Sequence, residues 1–402
     1  MNNNHMPITA TTDKPYLRPA KEAPMSKLPH LFFLIRSLGH GGSERQLIEL
    51  VKALDTTSFR ITVATFYDGG LLRSEMEALP GVSVLSFGKR SRWDVLSLLW
   101  RVFRTVRQER PDILWAYIGI AYELVALLGL VLRVRVVWGL GMSETDQSRE
   151  GWATVASFRL CAWMSRLTDL MIANSYSGMC HYAKEGYASE RLAVVSNGID
   201  TDRFQPNQVA RVRIRASWSV SESELLIGMV GRLDPQKDHP TFLRAAAILA
   251  SQNPTIRFVC VGDGPSVYRQ RLMQLAHELG LADRLIWIRS SNDMPDIYNA
   301  FDLATLPSAY GEGFANVVGE AMSCGIPVVA TDVGDSAFVV DNPEQIVPRN
   351  DPVALAAAWE RYFKMSSEEK VTISRKGRER IVSEFGIAQL RDRTIALIQG
   401  IR

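Results

Sequence analysis

The sequence predicts an α/β protein made of two doubly wound parallel sheets that face each other across a cleft. Three observations carry that expectation. Strand-like apolar runs alternate with helical runs from one end of the chain to the other. The alternation pauses at a Pro- and Asn-bearing stretch, residues 204–208, and then restarts. Glycine-rich turns follow strand-like runs in both halves, where open parallel sheets bind their ligands. A length of 402 residues accommodates two such domains.

In the first half, a strand over 31–36 runs into Gly39-His-Gly-Gly-Ser43, and a helix over 44–54 follows. Strands over 60–67 and 82–87 come next, then a helix over 93–108. Asp112, Val134, Asp169 and Arg191 each open a further strand-like run. The longest apolar stretch, 114–132, is broken by Glu123 and has a membrane-span look. Its flanks, 112–117 and 133–138, read as strands, so the stretch reads as strand plus short apolar helix in the interior of a parallel sheet. In the second half, strands are expected over 225–232, 256–261, 284–289, 302–307 and 326–331. Helices are expected over 240–251, 266–280, 314–323, 353–363, 366–385 and 387–401. The domain reading is therefore a tail over 1–27, a first domain over 28–204, a second over 209–385 and a final helix over 386–402.

Composition narrows the class. Hydrophobic residues make up 47% and charged residues 22%, as in a soluble globular protein. The net charge of +3 gives no sign of a nucleic-acid partner. Cys161, Cys180, Cys260 and Cys324 lack metal-ligand spacing and read as four buried free thiols, which suits a reducing cytoplasm. Residues 1–27 are polar, have no apolar core, and read as a disordered tail rather than a signal peptide. The six histidines show no metal spacing, and no Gly-x-Ser-x-Gly elbow occurs.

The chemistry concentrates in Tyr310-Gly-Glu-Gly-Phe-Ala-Asn-Val-Val-Gly-Glu320. Were that span wholly helical, Glu312 and Glu320 would lie roughly 12 Å apart. Flanking a single glycosidic bond requires about 5 to 9.5 Å. The spacing suits two grips on one long ligand better than an acid and a base. In Val230-Gly-Arg-Leu-Asp-Pro-Gln-Lys237, Arg232 and Lys237 bracket a turn before a helix, which makes an anion site. Gly262-Asp-Gly-Pro265 permits a tight strand-to-helix turn. In Gly39-His-Gly-Gly-Ser43 the backbone N–H groups can face a phosphate, although no Gly-Lys-Ser/Thr follows. Asn197-Gly198 reads as a structural turn beside the cleft. Residues 89–110 carry seven basic and two acidic side chains. On a helical wheel Leu96, Leu99, Phe103 and Val106 share a face, with Arg101, Arg104 and Arg107 beside it and Trp100 at the boundary. That face can pack on the sheet, and the arginines can meet water or anionic lipid.

These motifs, in this order, resemble the retaining GT-B glycosyltransferases of the family-four type (glycosyl transferases group 1). Those that carry the resemblance are Gly41-Gly-Ser-Glu-Arg45, Ser196-Asn-Gly-Ile-Asp200, Val230-Gly-Arg-Leu233 with Lys237, Gly262-Asp-Gly-Pro265, and Glu312-Gly-Phe through Glu320-Ala-Met to Gly334. The resemblance spans about residues 30–400 and is tightest in the second half. It implies two Rossmann-like domains and a nucleotide-sugar donor held mainly by the second. By position, Arg232 and Lys237 would bind the diphosphate, Glu320 the ribose and Glu312 the transferred sugar. Backbone at Gly231, at Gly313, Phe314, Ala315 and Asn316, and at Gly41 and Gly42 would complete the donor site. Arg232, Lys237 and Glu312 are the catalytic candidates, with no protein base, nucleophile or metal. The implied acceptor is a glycan or a polyprenyl-diphosphate-linked glycan of surface polysaccharide or lipopolysaccharide biosynthesis. The enzyme would be cytoplasmic, on the inner membrane face. Two other readings stand beside this one: a catalytically inactive nucleotide-sugar-binding protein of the same fold, and a sugar-nucleotide epimerase. Three departures are visible. Tyr117 stands where many relatives have histidine, residues 138–144 lack their arginine, and Gly334-Asp335 replaces a Gly-Gly pair.

Overall fold

The computed structural model describes residues 28–39, 41–89, 94–141, 152–291 and 293–401. The tail expected over 1–27 lies outside the described residues. The first sheet contains β1 (His30–Ile35), β2 (Arg60–Thr65), β3 (Val82–Ser86), β4 (Ile113–Tyr117), β5 (Arg135–Leu140), β6 (Leu170–Ala173) and β7 (Leu192–Val194). Its order is β3-β2-β1-β4-β5-β6-β7, and every pairing is parallel. The order reverses between β1 and β4, and Ile35 is in register with Tyr117 there, so both strands end level at the mouth of a crevice.

Alternation along β1 sorts its side chains between two cores. Leu31, Phe33 and Ile35 join α1 (Gly42–Ala53) and α2 (Arg73–Glu77). Phe32 and Leu34 join α3 (Val95–Glu109), α4 (Ala121–Leu132), α5 (Trp152–Met164) and α6 (Tyr176–Lys184) on the opposite face.

The second sheet repeats the plan with β8 (Leu225–Val230), β9 (Ile256–Val261), β10 (Leu285–Ile288), β11 (Leu303–Leu306), β12 (Val328–Thr331) and β13 (Ile346–Val347). Its order is β10-β9-β8-β11-β12-β13. On one face lie α8 (His239–Gln252), α9 (Ser266–Glu278) and α13 (Pro352–Lys364), with Trp359 fully buried. On the other lie α10 (Met294–Asn299), α11 (Asn316–Ser323), α12 (Ser336–Val340) and α14 (Ser367–Glu384). The last helix, α15 (Ile387–Gly400), returns to the first sheet, where Leu390 and Ile398 join the core of β1 and α1. The chain thus has the GT-B architecture of two Rossmann-like domains.

Several expectations need correction. Residues 208–217 form a helix, α7 (Gln208–Ser217), capped by the Asn207 side chain, which accepts from Ala210 N at 3.0 Å. Its arginines hid it from hydrophobic patterning. Arg215 is buried, and its two terminal nitrogens donate to Asp302 and to the carbonyls of Ala300 and Ser221. Cys180 is exposed on α6, whereas the other three thiols are buried. In α3 the buried face is Leu98, Val102 and Val106, and Leu96 points outward at 82% exposure. The apolar α4 is interior on one side only. Leu127, Leu130 and Val131 on its other side are exposed. No helix among the described residues is long and apolar enough to cross a membrane.

Candidate active site

The crevices of the two sheets open into one cleft of about 900 Å³. All the sequence-predicted site residues line it: Gly41, Gly42, Gly231, Arg232, Lys237, Glu312, Gly313, Phe314, Ala315, Asn316 and Glu320.

Two loops of the second domain are stitched together at its centre. After β8, Asp234 accepts from Gln236 N at 2.9 Å and closes the turn that carries Lys237. Gln236 then reaches the other loop twice. Its side chain donates to Gly311 O at 2.9 Å, and its carbonyl accepts from Ala309 N at 2.9 Å. This clamp sets Lys237 Nζ 2.5 Å from Glu312 Oε1, which also accepts from Ser308 Oγ at 2.5 Å. Glu312 is only 6% exposed, so the pair is strongly coupled and fixed. Arg232 differs. It is exposed, and its one polar contact among the described residues is Gln236 Oε1 at 3.4 Å. A cation at the cleft wall with no carboxylate partner is free to meet an anion.

Glu312 lies ahead of α11, because buried Phe314 lies in a bend, buried Ala315 is extended and the helix starts at Asn316. The helical rise therefore separates only part of the Glu312–Glu320 span. Glu320 accepts from Tyr298 Oη at 2.8 Å. Burial pushes its carboxyl above the usual range, against the pull of that hydrogen bond and of Arg203 and Arg45. His239, at the start of α8, is fully buried with both ring nitrogens unpartnered. Burial, helped by the charge of Lys237, lowers its pKa to about 4. The positive charge here is therefore that of Lys237 and Arg232, not of an imidazolium.

The loop carrying Glu312 also meets the first domain. At Gly313 a side chain would crowd Asn174 and Ser175. Gly334 has φ +63°, and a Cβ there would strike the Glu312 carbonyl. Asp335 N bonds Gly313 O at 3.1 Å, while its carboxylate accepts from Tyr176 N at 2.7 Å and Ser177 N at 2.9 Å. Asp335 thus caps a helix of the opposite domain. Asn197 Nδ2 bonds Asn316 Oδ1 at 2.7 Å, so the Asn197-Gly198 turn also bridges the domains.

The first-domain wall is more aromatic. Trp115 and Tyr117 stack with ring centroids 6.0 Å apart, and the space beside the Tyr117 ring exists because residue 139 is glycine. Burial raises the Tyr117 phenol, so it stays protonated. Residues 142–144 of the segment expected to lack arginine lie outside the described residues. Sequence reasoning missed Arg45, Gln46 and Glu49 on this wall. Gln46 exchanges two hydrogen bonds with the Gly198 backbone, and Arg45 pairs with Glu75 at 2.7 Å. Their signal was position, the opening turns of the helix after the Gly41-Gly42 loop.

Comparison with known proteins agrees with this architecture. Residues 224–364 match the model for "Glycosyl transferases group 1", and residues 40–203 match the model for "Glycosyltransferase Family 4". The chain belongs to the family-four type of GT-B glycosyltransferases. Among curated relatives of this family, a D-inositol 3-phosphate glycosyltransferase of Rhodococcus jostii is 32% identical over 216 residues, 52% of this chain and 46% of that protein. The matched stretch thus spans about half the length of such relatives. Among solved GT-B structures, Anabaena HepE in complex with UDP-glucose superposes with a TM-score of 0.82 at 22% identity, covering 92% of this chain and 99% of that one. A lipopolysaccharide outer core galactosyltransferase, WaaB, superposes at 0.67 with 16% identity over 92% of this chain and 99% of its own.

Proposed function

We propose that this glycosyltransferase is a retaining, metal-independent hexosyltransferase. It moves a sugar from a nucleoside-diphosphate donor to a glycan or lipid-linked acceptor in surface polysaccharide synthesis. The observation that carries the reading is the contrast between two cations on one wall. Lys237 is locked to Glu312, and Arg232 is left open. In this reading the donor diphosphate lies against Arg232, Lys237 and the amides at Phe314, Ala315 and Asn316. Glu320 holds the ribose and Glu312 the sugar hydroxyls. As the bond between the anomeric carbon and the phosphate oxygen breaks, negative charge grows on the departing diphosphate, where these groups stabilise it. The acceptor hydroxyl oxygen bonds the same face of the anomeric carbon, and its proton passes to the departing phosphate oxygen. No side chain is needed as nucleophile or base.

The HepE complex supports trying UDP-glucose first, and the inositol-phosphate relatives support including phosphorylated polyols beside lipid-linked glycans as acceptors. A thermal-shift panel of UDP-, GDP- and ADP-sugars tests the donor. The true donor at a hundred times its Kd adds about 2.7 kcal/mol of stability. Donor turnover then tests the chemistry, with and without a chelator. Full activity in both Glu312→Ala and Arg232→Ala rejects the site assignment. Donor binding without transfer to any acceptor identifies an inactive binding protein. Nucleotide release without acceptor, leaving a different free sugar, identifies an epimerase.

A further inference from the structure

The outer faces of α4 and α5 form an apolar surface open to solvent. Leu127, Leu130 and Val131 of α4 and Leu160 and Trp163 of α5 are all exposed, Trp163 at 64% and Val131 at 67%. Their spacings place each set on one helix face, and the two helices pack side by side. The helix that carries most of it starts at the cleft rim. Ile118 and Ile120, both exposed, directly follow Tyr117, which lines the cleft, and α4 begins at Ala121. The exposed apolar residues of α4 fill its second half, and Glu123, half-buried against Ser157 of α5, lies on the same face between them and Ile120.

Its margin is one-sided in charge. Arg104 and Arg107 of α3, Arg133 at the end of α4, and Arg159 of α5 are exposed, and none makes an ion pair with a described residue. Each acid of these helices has a partner. Asp94 pairs with Arg101, Glu109 with Arg60, and Glu123 accepts from Ser157. Asp169, exposed beyond α5, accepts from Val136 N. A large aliphatic and indole surface edged by guanidinium groups that have no ion pair among the described residues is not an ordinary solvent face. It matches the interfacial layer of an anionic bilayer, where the apolar side chains sink below headgroups that the arginines hold.

We propose that this α4–α5 face is a docking surface for anionic phospholipid. It enlarges the contact expected of residues 89–110: α3 contributes arginines, and α4 and α5 contribute the apolar area. Docking by this face sets the cleft mouth beside the lipid surface, where a lipid-linked acceptor would enter. That consequence rests on the proposed reaction, whereas the docking does not.

The test needs neither donor nor acceptor. The full chain is sedimented with phosphatidylglycerol–phosphatidylcholine vesicles and with pure phosphatidylcholine vesicles, at low and high salt. Wild type pellets with the anionic vesicles at low salt and is released by salt. Leu130→Glu with Val131→Glu weakens binding more than tenfold. Arg107→Ala with Arg159→Ala weakens it about fivefold per arginine. These side chains are exposed, and circular dichroism melts matching wild type establish that the variants fold. The proposal is overturned if wild type stays in the supernatant, if neutral vesicles bind it equally, or if both double variants pellet like wild type. It is also overturned if the chain dimerises in solution through this face, a doubled mass abolished by the glutamate variant, without binding vesicles.

Discussion

The two walls of the cleft are built on the same strand order but hold their side chains differently. On the second-domain wall, Gln236 ties two loops together, and Glu312 sits between Lys237 and Ser308 with almost no exposure. On the first-domain wall, the Trp115 indole nitrogen has no partner among the described residues, and the polar residues come from α1 and from the turns at Asn174 and Asn197. One wall is pre-organised around charge. The other is an aromatic platform whose chemistry is set by few side chains. This is the division expected when one wall must recognise a constant group and the other a variable one.

Substitutions can break that contrast. Glu312→Ala should have the largest effect. It leaves the Lys237 ammonium unpaired at a mostly buried site, lowering stability by about 3 kcal/mol and donor turnover by about a hundredfold or more. Urea unfolding and a donor-consumption assay measure the two losses.

Acid should weaken the second domain next. His239 titrates at about 4 in the folded chain against 6.5 when free, so the unfolded state binds the extra proton between those values. Stability then falls as pH drops from 6.5 towards 4. A His239→Gln variant should lose up to about 3 kcal/mol of that fall, read from urea midpoints across the window. His30 in the first domain is also lowered by burial but bonds Thr62 at 2.9 Å, and it provides the comparison.

Asp335→Ala should cost about 1 kcal/mol as a lost cap. Because that cap joins the domains, the variant should also show a larger radius of gyration by small-angle scattering. An unchanged radius would mean that the contact does not hold the domains together. The smallest effect should come from Tyr117→Phe, which keeps the stacked ring. Donor-induced thermal shifts should stay within about 0.5 kcal/mol of wild type, while the KM for acceptor moves.

Most of the fold was legible because its strands are apolar runs bounded by glycine turns, as at β8 and β12. Helix α7 was not, since its burial depends on Arg215 finding Asp302, a long-range partner that no local pattern announces. The cleft residues of the second domain were legible because they sit in short motifs at strand ends. Asp335 was visible only as a departure from Gly-Gly. Its purpose depends on Tyr176 and Ser177, more than 150 residues earlier in the chain. The outer face of α4 was misread because an apolar helix beside a sheet has the same composition whether one side or both are covered.

The return of α15 has a consequence for synthesis. Leu390 and Ile398 complete the core shared by β1 and α1, and Ile199 N bonds Phe385 O at 2.8 Å where the chain turns back. The first sheet therefore waits for a helix that is translated after the whole second domain. Until residues 387–400 emerge, the α1 side of the first sheet is missing its final layer. The second domain can close its own core before the first does, and a chain cut short near residue 386 would leave the first domain unfinished.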